Sequence, residues 1–464
     1  MSAGSIPTEL GTERIGVLLR KYAIPGIIAM TASSLYNMVD SMFIGRIPGT
    51  GSLSLSGLAI CFPLMNISAA LGTLVGIGAS TMISVLLGQK KYATANRVLA
   101  NEVALNVIVG IFFTAFTLIW MDPILRAFGA TDNTLPYARE YMVVISLGNV
   151  ITHLYFGLNS VIRSSGNPRI AMGLTLFTLI SNAVLDPIFI FAFGLGIKGA
   201  AIATILCQTM ALAYTLVYFF NPERFLHLES RHIFNLDWQI AADSLKIGMG
   251  PFLMNLASCI VALFVNNQLL KYGGDLSIGA YGIVNRISFL FIMVCMGLNQ
   301  GMQPIAGYNF GARQYRRVRK VYLLTAGWAT LVCTVGFLIS ELMPGLTVKA
   351  FSNDPDMIGL AERGLRLINC LLPIVGFQMV ASNLFQCLGM VRKSILMSLS
   401  RQLLFLVPCL YTLPLWLAQD GVWISFPLSD ALAAILAVYL IVRLFRKIAR
   451  LNDGDDPAIL GSVL

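Results

Sequence analysis

The segment GARQYRRVRK, residues 311–320, repeats the pattern of GQKKYATANR at residues 88–97: a glycine, a tyrosine four residues later, and basic or amide side chains around them. Sliding the chain against itself by the distance between them places Gly88 on Gly311 and Tyr92 on Tyr315. The same offset places Phe128 on Phe351, Ala138 on Ala361, Gly166 on Gly389 and Arg169 on Arg392. The register holds from about residue 57 to 169. The chain reads as a duplication, so whatever one half builds the other builds again.

What the halves build follows from composition. Of the 464 residues 57% are hydrophobic and 12% charged, against roughly a quarter charged in an ordinary soluble domain. A helix crossing a bilayer needs about 20 mostly apolar residues. Twelve such runs are present, at 22–45, 55–87, 98–120, 137–162, 169–193, 199–220, 245–272, 278–308, 321–343, 362–388, 394–417 and 423–444. The expected fold is all-α and integral to the membrane, twelve transmembrane helices in two pseudo-symmetric six-helix lobes. An even number of helices per half means both copies insert with the same orientation. The expected division is an amino-terminal lobe at 1–220, a cytoplasmic linker at 221–243, a carboxy-terminal lobe at 244–450 and a tail at 451–464. The apolar run behind the polar first residues is longer than a signal peptide's core, so the amino terminus is expected to be retained.

The net charge of +10 raises the question of a nucleic-acid partner, and its distribution answers it. Lys and Arg concentrate in alternate loops, the positive-inside pattern, which puts both termini in the cytoplasm of a cell whose inner (plasma) membrane holds the protein. The basic run QYRRVRK is a short connection between two spans, so no nucleic acid is expected. The eight cysteines lie mostly in apolar runs without paired-ligand spacing and read as small hydrophobes. Neither an H-E-x-x-H motif nor a Ser/His/Asp set is apparent, so the chain is not expected to be an enzyme.

A carboxylate in mid-bilayer is costly and usually faces protein or water along an ion path. Asp40 and Asp186 are the two clear cases, both in the outer half of the first lobe. Asn182 precedes Asp186 by one helical turn and shares its face. Pro187 deprives the carbonyl of Ala183 of its helical donor, and the Thr204 hydroxyl comes to a comparable depth on helix 6. Two acids, an amide and a hydroxyl make a sodium cage; two neighbouring carboxylates also repel, which equally suits the pair to carrying a proton. Glu102, Asp122 and Glu140 read as solvated or capping groups. In the second lobe, helices 7, 8 and 10 offer amides and Arg286 but no deep acid. Tyr36, Asn37, Asn66, His153, Arg286 and Gln303 are the candidates for lining a substrate vestibule, with His153 and Asn149 one turn apart on helix 4.

The run NAVLDPIFIF (182–191) followed by GLGIKGAAIAT (194–204) resembles helices 5 and 6 of the multidrug and toxic compound extrusion (MATE) family. LYNMVDSMFIGR resembles that family's first helix, GAYGIVNRI its eighth, and the GQKKY and GARQY loops its repeated connections. The resemblance covers nearly the whole chain and implies the MATE-type fold. It implies a coupling-cation site at Asp40, Asn182, Asp186 and Thr204, with Tyr141 of helix 4 in the same polar network, as in the branch of bacterial and archaeal members coupled through amino-terminal aspartates. The acids that other branches carry on helices 7 and 10 are missing here. The implied activity is efflux of lipophilic or cationic small molecules in antiport with Na+ or H+, by a protein expected to be monomeric and to need no cofactor beyond that ion. The rival reading is a flippase for a lipid-linked precursor. It calls for a strongly cationic cavity, whereas Arg286 and Arg401 are the basic residues placed within helices.

Overall fold

The computed structural model describes residues 7–233, 235–351 and 354–456, apart from the side chains of residues 36–38, 230 and 275. The long helices are α1 (Ile15–Gly45), α2 (Gly51–Gly88), α3 (Tyr92–Ile119), α4 (Leu135–Leu147 with Asn149–Ser164), α5 (Pro168–Ala192) and α6 (Gly196–Phe220). The second half gives α7 (Trp238–Gly274), α8 (Leu276–Gly311), α9 (Tyr315–Leu342), α10 (Pro355–Asn369 with Leu372–Cys387), α11 (Val391–Thr412) and α12 (Pro414–Ile448). Each overlaps one run expected from hydropathy. Ten are long and apolar enough to cross a membrane by themselves, and the count reaches 12 with the two bent pairs, α4 and α10. Large apolar side chains such as Phe112, Val217 and Leu342 stay more than 70% exposed. In water so many would be an aggregation surface; a lipid solvent accommodates them. The chain is a multi-pass membrane protein.

The duplication is visible in the backbone. Lys90 and Arg313, matched by the repeat, both take left-handed conformations, with φ of 61° and 57°. In each case the next N–H reaches five residues back around the turn: Lys91 donates to the Leu86 carbonyl at 2.9 Å and Gln314 to the Asn309 carbonyl at 2.8 Å. This is the closing bond of a Schellman-type helix end. The bends also correspond. α4 turns by 56° at Gly148 and α10 by 50° beside Leu371.

The chain forms two compact units, Met1–Glu9 with Ile28–Phe252, and Leu10–Ile27 with Leu253–Leu464. This division differs from the expected boundaries at 220 and 244, and close backbone contacts explain why. In the first unit the start of α7 lies directly on α2. A Cβ on Gly78 would overlap the Ser244 carbonyl, and one on Gly248 would overlap that of Leu74. Residues of the 221–243 segment dock on α3: His227 N–H donates to Asn96 Oδ1 at 3.2 Å and Asp237 N–H to Asn101 Oδ1 at 3.0 Å. In the second unit the first half of α1 lies on α8. A Cβ on Gly297 would stand 2.5 Å from Ile27 Cα, and one on Gly301 2.5 Å from Ala23 Cα. Arg317 secures the same segment by donating to the carbonyls of Leu10 (3.0 Å) and Glu13 (2.7 Å). Glycine permits these approaches because nothing but hydrogen fits between the helices.

Candidate cation site in the first unit

Asp40 on α1 and Asp186 on α5 are buried, 7% and 0% exposed, and their carboxyls are side-chain hydrogen-bonding neighbours. Asn182, also buried, donates Nδ2–H to Asp186 Oδ1 at 2.9 Å. The one-turn spacing read from the sequence thus produces a direct bond. Three oxygens are buried without a hydrogen-bond partner among the described residues: Asp40 Oδ1, Asn182 Oδ1 and Asp186 Oδ2. Buried polar atoms are nearly always satisfied, and three orphaned oxygens from two acids and an amide form a donor set suited to a small hard cation or a proton.

Pro187 shapes the outer end of the site. It has no N–H to give, and beyond it α5 widens to a π-helical turn over Ile188–Ala192, where Phe193 N–H reaches the Ile188 carbonyl at 2.9 Å. Gly199 seats α6 on that turn, since a Cβ there would lie 2.7 Å from the Phe189 carbonyl oxygen. Cys207, buried on α6, lies within electrostatic reach of Asp186. Thr204, one turn from it, is half-buried and donates its hydroxyl to the Ala200 carbonyl at 3.1 Å. Tyr141 is fully buried in an apolar cluster with Ile44, Ile190, Ala200 and Ala201. Ile44 and Ile190 each stand one turn beyond an acid, so this cluster closes the ends of α1 and α5 around the pair.

The vestibule candidates divide. Asn66 and Arg286 are exposed. The side chains of Tyr36 and Asn37 lie outside the described residues. Gln303 is buried in α8. His153 is fully buried within the first unit: its Nε2 is 3.1 Å from Ser68 Oγ, which in turn donates to Asn149 Oδ1 at 2.8 Å. The two α4 residues therefore meet through a serine of α2, in the packed interior.

Two buried acids escaped the sequence reading. Glu102, expected to be solvated or capping, is 1% exposed and accepts from Asn106 Nδ2 at 2.6 Å. Asp122, beside Arg139, and the exposed Glu140 do lie at the surface. Asp430 on α12, 5% exposed, bonds Arg401 Nε at 2.7 Å, so the second unit does hold a deep acid, paired with a fixed guanidinium. The signal available for it was Arg401 itself, a cation inside an apolar run that demands a partner.

Comparison with known proteins agrees with this architecture. Multidrug export protein MepA of Staphylococcus aureus (strain MSSA476) is 29% identical over 426 residues, 90% of this chain and 92% of its own length. The protein of that name in Staphylococcus haemolyticus (strain JCSC1435) is 27% identical over 429 residues, 92% and 93% of the two chains. Among solved structures, that of MATE in the straight conformation superposes with a TM-score of 0.90 at 24% identity, covering 97% of this chain and all of the other. The bent conformation gives 0.88 at 25%, covering 96% and 100%. The MatE family model matches twice, at residues 25–188 and 247–412, which is the duplication found from the two loops. The chain belongs to the MatE family of membrane transporters.

Proposed function

We propose that this protein is a secondary antiporter that exports amphipathic or cationic organic compounds across the inner membrane in exchange for inward Na+ or H+. Asp40, Asn182 and Asp186 hold the ion, with Thr204 and Tyr141 beside them. The observation that carries this reading is the set of three oxygens, drawn from two acids and an amide in the interior of the first unit, that have no partner among the described residues. The MepA relatives, named for multidrug export, support the substrate class. Exchange is coupled only if each ligand stabilises one of two conformations by a different free energy. A cation between two acids meets that condition, because it removes their mutual repulsion only where both carboxyls converge. The positive-inside charge pattern supports cytoplasmic termini. A flippase for a lipid-linked phosphate is less well supported: the Arg401 charge is neutralised by Asp430, leaving Arg286 as the remaining basic candidate within a span.

The test is transport by purified protein in liposomes, with a fluorescent lipophilic cation and imposed sodium or proton gradients. Asp186→Asn keeps the size of the side chain and removes its charge, and is expected to abolish uphill movement while the protein stays folded. Full uphill transport by that variant would remove Asp186 from the coupling step.

A further inference from the structure

The amide–acid pair on α5 has a twin on α3. Asn182 precedes Asp186 by one turn, and Glu102 precedes Asn106 by one turn, the order of acid and amide being exchanged. In both pairs the amide Nδ2–H donates to one carboxyl oxygen, at 2.9 Å and 2.6 Å. In both, the amide oxygen and the second carboxyl oxygen are buried without a partner among the described residues: Asn182 Oδ1 with Asp186 Oδ2, and Asn106 Oδ1 with Glu102 Oε2. Neither Glu102 nor Asn106 is more than 1% exposed.

The surroundings make room for this carboxyl specifically. A Cβ on Gly157 of α4 would overlap Glu102 Oε1 and stand 3.1 Å from its Cδ. Gly76 of α2 backs Gly157 in turn, since its Cβ would lie 2.5 Å from Gly157 Cα. One turn along α4 is His153, whose Nδ1 is also buried and unpartnered and whose Nε2 leads to Ser68 and Asn149. Val75, Leu105 and Ala241 close the neighbouring space with apolar surface. The charged groups on the elements around Glu102 are otherwise engaged or remote. α2 carries none; on α4 Arg163 donates to Ser160, Arg139 pairs with Asp122 and Glu140 is exposed; on α3 Arg97 lies in the second turn; and in the segment docked on α3 His227 and His232 both face Glu229. Asp237 caps the first turn of α7 through Gln239 and Ile240, and Asp243 pairs with Lys246 at 2.9 Å.

We propose that Glu102 is a second proton-carrying carboxyl of the transport cycle, a station on the cytoplasmic side of the Asp40–Asp186 pair; its place in the cycle rests on the antiport reading above. A proton bonds to Oε2 when the donor's O–H bond breaks, and leaves again to water on the cytoplasmic side, with no change in electron count. With a single acid beside one amide, the two orphaned oxygens suffice for a proton.

The experiment uses the full-length protein in liposomes with ethidium as transported probe and a pH-sensitive dye inside. Glu102→Gln retains an acceptor for Asn106 and cannot exchange a proton. It is expected to slow pH-driven ethidium movement on the order of tenfold or more, while ethidium counterflow without a pH gradient changes less than about twofold. Glu102→Asp is expected to recover part of the driven rate with a displaced pH profile. Driven transport by Glu102→Gln at the wild-type rate and pH profile overturns the proposal. So does a parallel fall in counterflow, a response to sodium alone, or failure of both variants to fold, each of which leaves Glu102 a structural group. Asp186→Asn measured alongside separates the two readings: a fully active Asp186→Asn with a defective Glu102→Gln removes the outer pair and keeps Glu102, and the reverse removes Glu102 alone.

Discussion

Removing the amide of Asn182 should weaken cation binding more than it slows transport. Asn182→Ala deletes the 2.9 Å bond to Asp186 Oδ1 and one of the three unpartnered oxygens. A hydrogen bond to a charged group contributes about 1.5–3 kcal/mol, and about 1.4 kcal/mol is a factor of ten in affinity. Loss of the Oδ1 ligand is therefore expected to raise the half-saturating sodium concentration between about tenfold and a hundredfold. Because neither acid is removed, the rate at saturating cation should fall far less. The assay is the initial rate of probe efflux from liposomes against external sodium at fixed pH, repeated against pH at fixed sodium. An unchanged half-saturation for both ions would show that the bond between Asn182 and Asp186 is fold architecture and not part of an ion site.

Gly78→Val should prevent assembly of the first unit, since even a Cβ would strike the Ser244 carbonyl; overpacking costs of about 1–3 kcal/mol or more would appear as loss of monodisperse protein in size-exclusion chromatography. Arg401→Ala should destabilise the second unit by about 3 kcal/mol, the low end for a broken buried pair because the arginine side chain is 28% exposed. The double variant Arg401→Met/Asp430→Leu should recover most of that loss in a thermal-shift measurement, and no recovery would mean the acid has another structural role. Lys90→Gly should raise stability slightly, by about 0.5 kcal/mol, as relief of a left-handed φ outweighs the added chain entropy.

The positions of the spans and the repeat were legible because both are local or periodic: apolar length decides the first and a constant offset the second. Asp186 and Asn182 were legible together, since one turn of helix fixes their proximity whatever the tertiary structure. Glu102 was not. Ten residues after the start of α3 it looks like a residue near a helix end, and its burial depends on Gly157 and Gly76 arriving from two other helices. Asp430 was missed for a similar reason. Its partner Arg401 is 29 residues away, and nothing periodic joins them. His153 with Asn149 left two readings open, a cavity wall or a local bond, and the meeting of His153 Nε2 with a serine of α2 that also bonds Asn149 depends on a second helix that no periodicity announces.

The seating of Leu10–Ile27 on α8 bears on how the molecule can be divided. A fragment cut within 221–243 and carrying everything downstream would leave Gly297 and Gly301 facing empty space, because the segment that covers them is encoded some 270 residues earlier. The fragment upstream of the cut would in turn lack Ser244 and Gly248, which α2 needs. Split or permuted versions of this chain are expected to fold as halves only when residues 10–27 travel with the downstream piece and the break follows Phe252.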